Sequence, residues 1–298
     1  MGRYGGTCEL LKQLTILSGK GGTGKTTLTG SFAALAHNPV IADCDVDAPN
    51  LHLLLKPRII KRQELEGSKK AVIDETKCTR CGKCEEYCRF DAIKELVVDP
   101  VLCEGCGVCV YVCPTEAVTL ETNVDGFAFV SETDYGPMSH ARLNPGQENS
   151  GKLVTLVRNN AKEIAEKKNN GLVLIDGPPG IGCPVIASIT GVDLGLIVAE
   201  PTLSSIHDVE RALDLLNHFR IHPLICINRY DLNEENTGRI KEFCAKKGVE
   251  VVGEIPFDPI ITQSMVAGKP VIEYSPNSAV SKAIRETWDE ILMSLDTS

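Results

Sequence analysis

No run of eighteen apolar residues occurs in this chain of 298 residues. A helix that crosses a bilayer needs about twenty, so no membrane span is expected. The opening stretch MGRYGGTCELLKQ has no apolar signal core. It also misses the myristoylation pattern, because Gly6 stands where Ser or Thr is required. Positive charge is in short supply: 31 Lys and Arg face 40 Asp and Glu, a formal net charge of −9. Such acidity argues against non-specific binding to nucleic acid or anionic membranes. The six histidines show no metal-ligand spacing. The C-terminal helical pattern over 278–295 mixes charges of both signs and lacks the basic face of a membrane-surface helix. The expected location is the cytoplasm, with neither nucleic acid nor membrane as partner.

What the chain has is cysteine, thirteen of them, in a composition 43% hydrophobic. That is enough apolar residue to build a core and to exclude global disorder. In a reducing compartment, cysteines in number point to metal rather than disulfides.

Short apolar runs alternate with helical patterns. Strands are expected at 14–18, 39–45, 172–177, 194–200, 223–229 and 251–256. Helices are expected at 25–36, 152–168, 204–219, 234–247 and 278–295. This rhythm predicts an α/β fold with a doubly wound, mostly parallel sheet covered on both faces. It stops between Pro57 and Phe127. There Cys78, Cys81, Cys84 and Cys88 recur 25 residues on as Cys103, Cys106, Cys109 and Cys113. Asp91-Ala92-Ile93 is answered by Glu116-Ala117-Val118, so the unit is duplicated. The expected domains are 1–58 with 126–298, and an inserted small α+β domain over 59–125. The stretch 126–151 is long for a plain connection, so it is either functional or carries a strand or two. Within it, His140 and Arg142, with Lys152 just beyond, suggest either a partner or anion loop or a solvated surface.

Gly19-Lys20-Gly21-Gly22-Thr23-Gly24-Lys25-Thr26, followed by Thr27, fits G-x-x-x-x-G-K-[ST] between a strand and a helix. The glycines let backbone N–H groups approach phosphate oxygens, and the helix N-terminus adds its dipole. Lys25 is expected on the β- and γ-phosphates and Thr26 on Mg²⁺. The second lysine, Lys20, starts the loop and is badly placed to fold back onto its own nucleotide.

KGGTGKTT resembles the deviant Walker A motif of the MinD/ParA/Mrp superfamily. The resemblance implies that Lys20 reaches the partner subunit's nucleotide, so that ATP binds a face-to-face dimer together, of identical chains or with a paralogue. ADCDVDAPN (42–50) resembles that family's switch I, which makes Asp45 the residue that positions or activates the attacking water, with Asp43 and Asp47 near it. LIDGPPG (174–180) resembles Walker B running into switch II. That implies Asp176 accepting from Mg²⁺-bound water and Gly180 sensing the γ-phosphate. Asn228 resembles the adenine-reading asparagine, and IPFD (255–258), with Pro256 and Asp258, a second base contact. Taken alone, a strand ending in Asp is also a helix cap, and Asn after a strand is common in turns.

C-x₂-C-x₂-C-x₃-C occurs twice, the spacing of a bacterial two-cluster ferredoxin, whose fourth cysteine serves the other cluster. One [4Fe–4S] set is therefore Cys78, Cys81, Cys84 and Cys113. The other is Cys103, Cys106, Cys109 and Cys88. Zinc is the competing occupant, although it is usually held by separated C-x₂-C pairs. The first run ends Cys88-Arg89 where the ferredoxin family has Pro. Arg89 either raises a cluster potential or reaches solvent.

Of the other five cysteines, Cys44, Cys226 and Cys244 read as small apolar filler, and Cys8 stands in the N-terminal stretch. Cys183 follows Asp176 by seven residues. The nitrogenase iron protein, a distant relative on this fold, has a ligating cysteine at that offset. Two copies of Cys183 would then hold metal across a dimer; a buried inert thiol is the alternative.

The implied function is a dimeric ATPase with Mg²⁺ and two clusters. It would couple nucleotide state to electron transfer in metallocofactor assembly or reductive activation of an unidentified partner. The alternatives are a cluster carrier or scaffold without redox coupling, and a MinD/ParA-like positioning ATPase whose clusters are structural.

Overall fold

A computed structural model describes residues 11–146, 150–202 and 204–297. Cys8 and the N-terminal signal and lipidation patterns, apart from its last three residues, lie outside them. In chain order the elements are β1 (Lys12–Leu17), α1 (Lys25–Leu35), β2 (Val40–Asp43), α2 (Leu51–Leu55) and β3 (Arg58–Ile73). Next come α3 (Lys83–Glu86), β4 (Ile93–Lys94), β5 (Val97–Val98), α4 (Val108–Tyr111), β6 (Val118–Thr133) and β7 (Gly136–Leu143). Then follow α5 (Ser150–Lys168), β8 (Leu172–Asp176), α6 (Cys183–Ile189), β9 (Leu194–Ala199), α7 (Ser205–His218) and β10 (His222–Asn228). The chain closes with α8 (Glu234–Lys247), β11 (Glu250–Ile255), α9 (Ile260–Ala267), α10 (Val271–Tyr274) and α11 (Ala279–Thr297).

The main sheet runs β11-β10-β9-β1-β8-β2-β7-β6-β3. Every pairing from β11 to β7 is parallel. Its central strands are nearly continuous apolar runs because helices cover both faces. Phe32 of α1 stacks on Trp288 of α11 with ring centroids 5.1 Å apart. The ends of α8 follow local rules. Asn233 Oδ1 accepts from the Asn236 N–H, two glutamates open the first turn, two lysines close the last, and Gly248 adopts φ +69°.

Two compact units divide the chain. One holds 1–62, 129–141 and 150–298; the other holds 63–128 and 142–149. The second has its own small core, in which Ala71, Ala92, Ile93 and Val118 pack with Cys84, Cys103 and Cys109.

The stretch 126–151 carries the end of β6 and all of β7, which is a seventh parallel strand. Gly136, at φ +144°, opens β7 where a Cβ would come 2.2 Å from the Pro39 carbonyl oxygen, so only glycine fits the turn. The surface reading of His140 is corrected here. His140 is buried, its Nε2 hydrogen-bonded to Ser131 Oγ at 2.9 Å and its ring stacked on Phe129. Three-residue apolar spacing does not reveal this strand, because Ser139 and His140 occupy buried positions usually held by aliphatics.

Burial, helped by the charge of His52, lowers the pKa of His140 from 6.5 to about 4. The unfolded chain therefore binds the extra proton first. Stability from this group is complete above about 6.5 and falls as pH drops toward 4, by up to about 3 kcal/mol. The urea midpoint of wild type should fall relative to that of His140→Phe as pH drops through that window.

Candidate functional site

Leu17 ends β1, and the loop that follows enters α1 through Gly22 at φ +82° and Gly24 at φ +93°. At Gly24 the left-handed backbone is doubly required, since a Cβ would lie 2.3 Å from Asn228 Nδ2. Asn228 ends β10 and donates through that nitrogen to the Thr23 carbonyl at 2.8 Å. The strand-end asparagine therefore braces the loop.

Lys25 is buried, with Nζ donating to Ser18 Oγ at 2.8 Å. Desolvation lowers its pKa, against the pull of Asp176 and Asp45. Thr26 and Thr29 donate to the two oxygens of Asp176 at 2.8 and 2.9 Å. Asp176 pairs in register with Asp43 on β2, and both are fully buried. Burial raises the pKa of each carboxyl, and Asp43 is raised further by the Asp176 charge. Asp45 is also raised, mainly by burial. Asp43 Oδ2 has no hydrogen-bond partner. An orphaned buried oxygen beside the Thr26 hydroxyl and Asp176 is the hard donor set that Mg²⁺ takes. Among the described residues no three His, Cys, Asp or Glu groups converge on one ion. That suits a metal completed by phosphate and water rather than a closed protein cage.

A cavity of about 590 Å³ opens in front of the loop, within the range of small-molecule sites. Gly21, Gly22, Gly24, Lys25, Thr26 and Thr27 line one side, and Asp45, Asn50 and Asn228 face them. Asn228 Oδ1 is buried without a partner, an acceptor open to an exocyclic amine. Pro256 and Asp258 do not line the cavity. Asp258 Oδ1 instead accepts from the Ile260 N–H at the start of α9. The apolar wall comes from Ile255, the first residue of IPFD, and from Ile261, Thr262 and Met265, which the motif reading missed. The run IITQSMVA, one residue after IPFD, was the available signal.

Other loop residues lie outside the cavity. A Cβ on Gly19 would strike Asp208 of α7. The Gly180 N–H donates to the Ser18 carbonyl at 3.0 Å. Lys20 turns to its own chain: Nζ donates to Thr202 Oγ1 at 2.9 Å and lies 3.9 Å from Glu200. Glu200 also pairs with Arg229, which does line the cavity.

Two further cavities sit among the cysteines. One, with room for only about 10 Å³, is lined by Cys78, Cys81, Cys84 and Cys113. The other, about 20 Å³, is lined by Cys88, Cys103, Cys106 and Cys109. The fourth cysteine of each run thus lines the other run's cavity. Backbone N–H groups of Arg80, Ala117, Ala92 and Ala71 donate to the sulfurs of Cys78, Cys113, Cys88 and Cys103 at 3.2–3.4 Å. Among the described residues neither set of four is drawn in as a group that could hold a metal ion. Cys183 is exposed at the start of α6, and no described residues join it in a metal-binding group. Cys44, Cys226 and Cys244 are buried thiols with pKa values raised by burial.

A family model described as the CobQ/CobB/MinD/ParA nucleotide binding domain matches residues 14–271. The chain belongs to that nucleotide-binding family. The uncharacterized protein MJ0578 of Methanocaldococcus jannaschii is 35% identical over 95% of this chain and 97% of its own length. The putative septum site-determining protein MinD of Oltmannsiellopsis viridis is 23% identical, covering 88% of this chain and 69% of that protein. The solved septum site-determining protein MinD of Pyrococcus horikoshii OT3, complexed with Mg-ADP, superposes with a TM-score of 0.59 at 18% identity. That likeness covers 95% of this chain and 96% of the other, and it shows the fold. No helix among the described residues is long and apolar enough to cross a membrane.

Gly24→Ala should cost roughly 1–2 kcal/mol in backbone strain and push Asn228 off the loop. Isothermal titration with MgATP should show affinity at least tenfold weaker than wild type.

Proposed function

We propose that the chain is a Mg²⁺-dependent ATPase that dimerises around its nucleotide and carries two [4Fe–4S] clusters in the unit built on residues 63–128. One observation carries the cluster half: the crossing of the two cysteine runs, in which Cys113 lines the first cavity and Cys88 the second. Crossed ligation is the pattern of two-cluster ferredoxins. Bound there, the clusters would supply one-electron redox chemistry.

In the nucleotide half, Lys25 and the loop N–H groups bind the β- and γ-phosphates. Thr26 and Asp176 would hold Mg²⁺, which neutralises phosphate charge. Asp45 orients the attacking water and takes its proton, while Asn228 reads the base through its free Oδ1. Lys20 is absent from its own cavity lining and is tied to Thr202. That resting place fits a residue whose phosphate contact is to the partner subunit, a second copy or a paralogue. Transition-state charge is then neutralised from the other subunit, as an arginine finger does.

Two readings of the task remain, each with its own support. Relatives that match most of this chain are named septum site-determining or putative septum site-determining proteins, which favours a positioning switch with structural clusters. The route of the chain favours coupling of nucleotide state to electron transfer. Asp45, Asn50, Leu53 and Leu54 line the nucleotide cavity, and only Lys56 and Pro57 separate α2 from β3, the strand that leads to the cysteines. Reductive activation of a partner or metallocofactor assembly belongs to this second reading. Anaerobic protein decides between them. If ATP hydrolysis leaves the rate of cluster reoxidation by an artificial acceptor unchanged, the clusters are structural.

Lys20→Ala should keep MgATP affinity within about twofold of wild type, yet lose ATP-dependent dimerisation in light scattering and lose turnover. Full turnover in that variant removes the cross-subunit role. Cys106→Ala should lose about half of the cluster iron while nucleotide affinity stays unchanged.

A further inference from the structure

The two halves of the cysteine unit differ in charge. The first run stands among Lys77, Arg80, Lys83, Arg89 and Lys94. From residue 95 to 127 there is no Lys, Arg or His at all. The run at Cys103, Cys106 and Cys109 therefore brings no cation of its own, although a tetrathiolate centre is an anion that becomes more negative on reduction.

A cation arrives from β3. Lys70 is half-buried, and its Nζ donates to the Cys103 carbonyl at 2.6 Å. It makes no ion pair among the described residues. The strand beside it is tightly seated. The Ala71 N–H donates to Cys103 Sγ at 3.4 Å. A Cβ on Gly105, at φ +63°, would come 2.0 Å from the Lys69 carbonyl oxygen. The ammonium is thus held by strand geometry rather than by a flexible surface contact. Arg89, next to Cys88, also belongs to this half, but it is exposed and its guanidinium lies over the Phe90 ring, 4.6 Å from the centroid. Water screens an exposed charge far more than a half-buried one.

We propose that Lys70 is the positioning charge that sets the reduction potential of the centre held by Cys88, Cys103, Cys106 and Cys109. This rests on the cluster reading given above. A fixed ammonium close to the ligand shell favours the form with the added electron, and net charge near the sulfurs is one of the levers on such potentials. Among the described residues no lysine donates to a cysteine carbonyl of the other centre. Lys70 therefore gives the second site the cation that its own run lacks.

The test uses the full chain, loaded anaerobically with iron and sulfide and reduced stepwise with dithionite while spin resonance follows each centre. Lys70→Gln keeps a donor toward the Cys103 carbonyl and removes the charge; Lys70→Arg keeps the charge. Lys70→Gln should move one of the two midpoints to more negative values and leave the other in place, with Lys70→Arg close to wild type. Unmoved midpoints in Lys70→Gln, equal movement of both, or equal effects of the two variants would overturn the proposal. Lys70→Met guards against a loading defect. If both neutral variants fail to take up iron while Lys70→Arg loads normally, Lys70 is a structural group and the potential-setting role is lost. Wild type that takes up no iron at all would instead overturn the cluster reading itself.

Discussion

The nucleotide unit depends on one buried balance of charge at the C-terminal edge of its parallel sheet. Lys25 is sunk beneath the phosphate loop, with the charges of Asp176 and Asp45 drawing on it. Each of these groups suffers from desolvation, and the attraction between Lys25 and Asp176 offsets part of that cost. Asp43, paired in register with Asp176, is pushed further toward its neutral form by the Asp176 charge. Such a site gains most from a ligand that brings phosphate to the lysine and a divalent cation to the carboxylates. Ligand binding at the carboxyl ends of strands is the general habit of open α/β sheets. Here the reason is visible in which atoms are left without partners: Asp43 Oδ2 and Asn228 Oδ1.

The same balance organises the loops around it. Asn228 braces the phosphate loop at Thr23 and presses on Gly24, so the end of β10 and the loop are one mechanical piece. Gly180 hangs from Ser18, tying the segment after Asp176 to the start of the loop. Lys20, by contrast, is excluded from the cavity and shares Glu200 with Arg229. One loop thus presents one lysine inward and one outward, a division suited to two nucleotides shared between two subunits.

The cysteine unit is governed by a different constraint. Its core is made of alanines, valines and isoleucines around the thiols themselves. Backbone N–H groups are aimed at four of the sulfurs. Duplication supplied two similar frames that differ in charge, and the strand β3 places Lys70 on the one whose own run lacks a cation.

The strand and helix rhythm and the phosphate loop were legible in the residues. Each rests on local spacing: apolar period or glycine position. The places where that reading went astray are contacts between residues far apart in the chain. Asp258 has the right neighbours for a base contact, yet its carboxylate is taken up by the first turn of α9, and Ile261 and Met265 form the wall instead. His140 sits in a polar, glycine-bounded stretch, but strand pairing with β2 buries it against Phe129 and Ser131. Spacing along a chain determined which chemistry is present. Only tertiary packing decided which side chains are spent on holding the fold and which are left free for a ligand, because a hydrogen bond made to a distant residue leaves no mark on the local pattern.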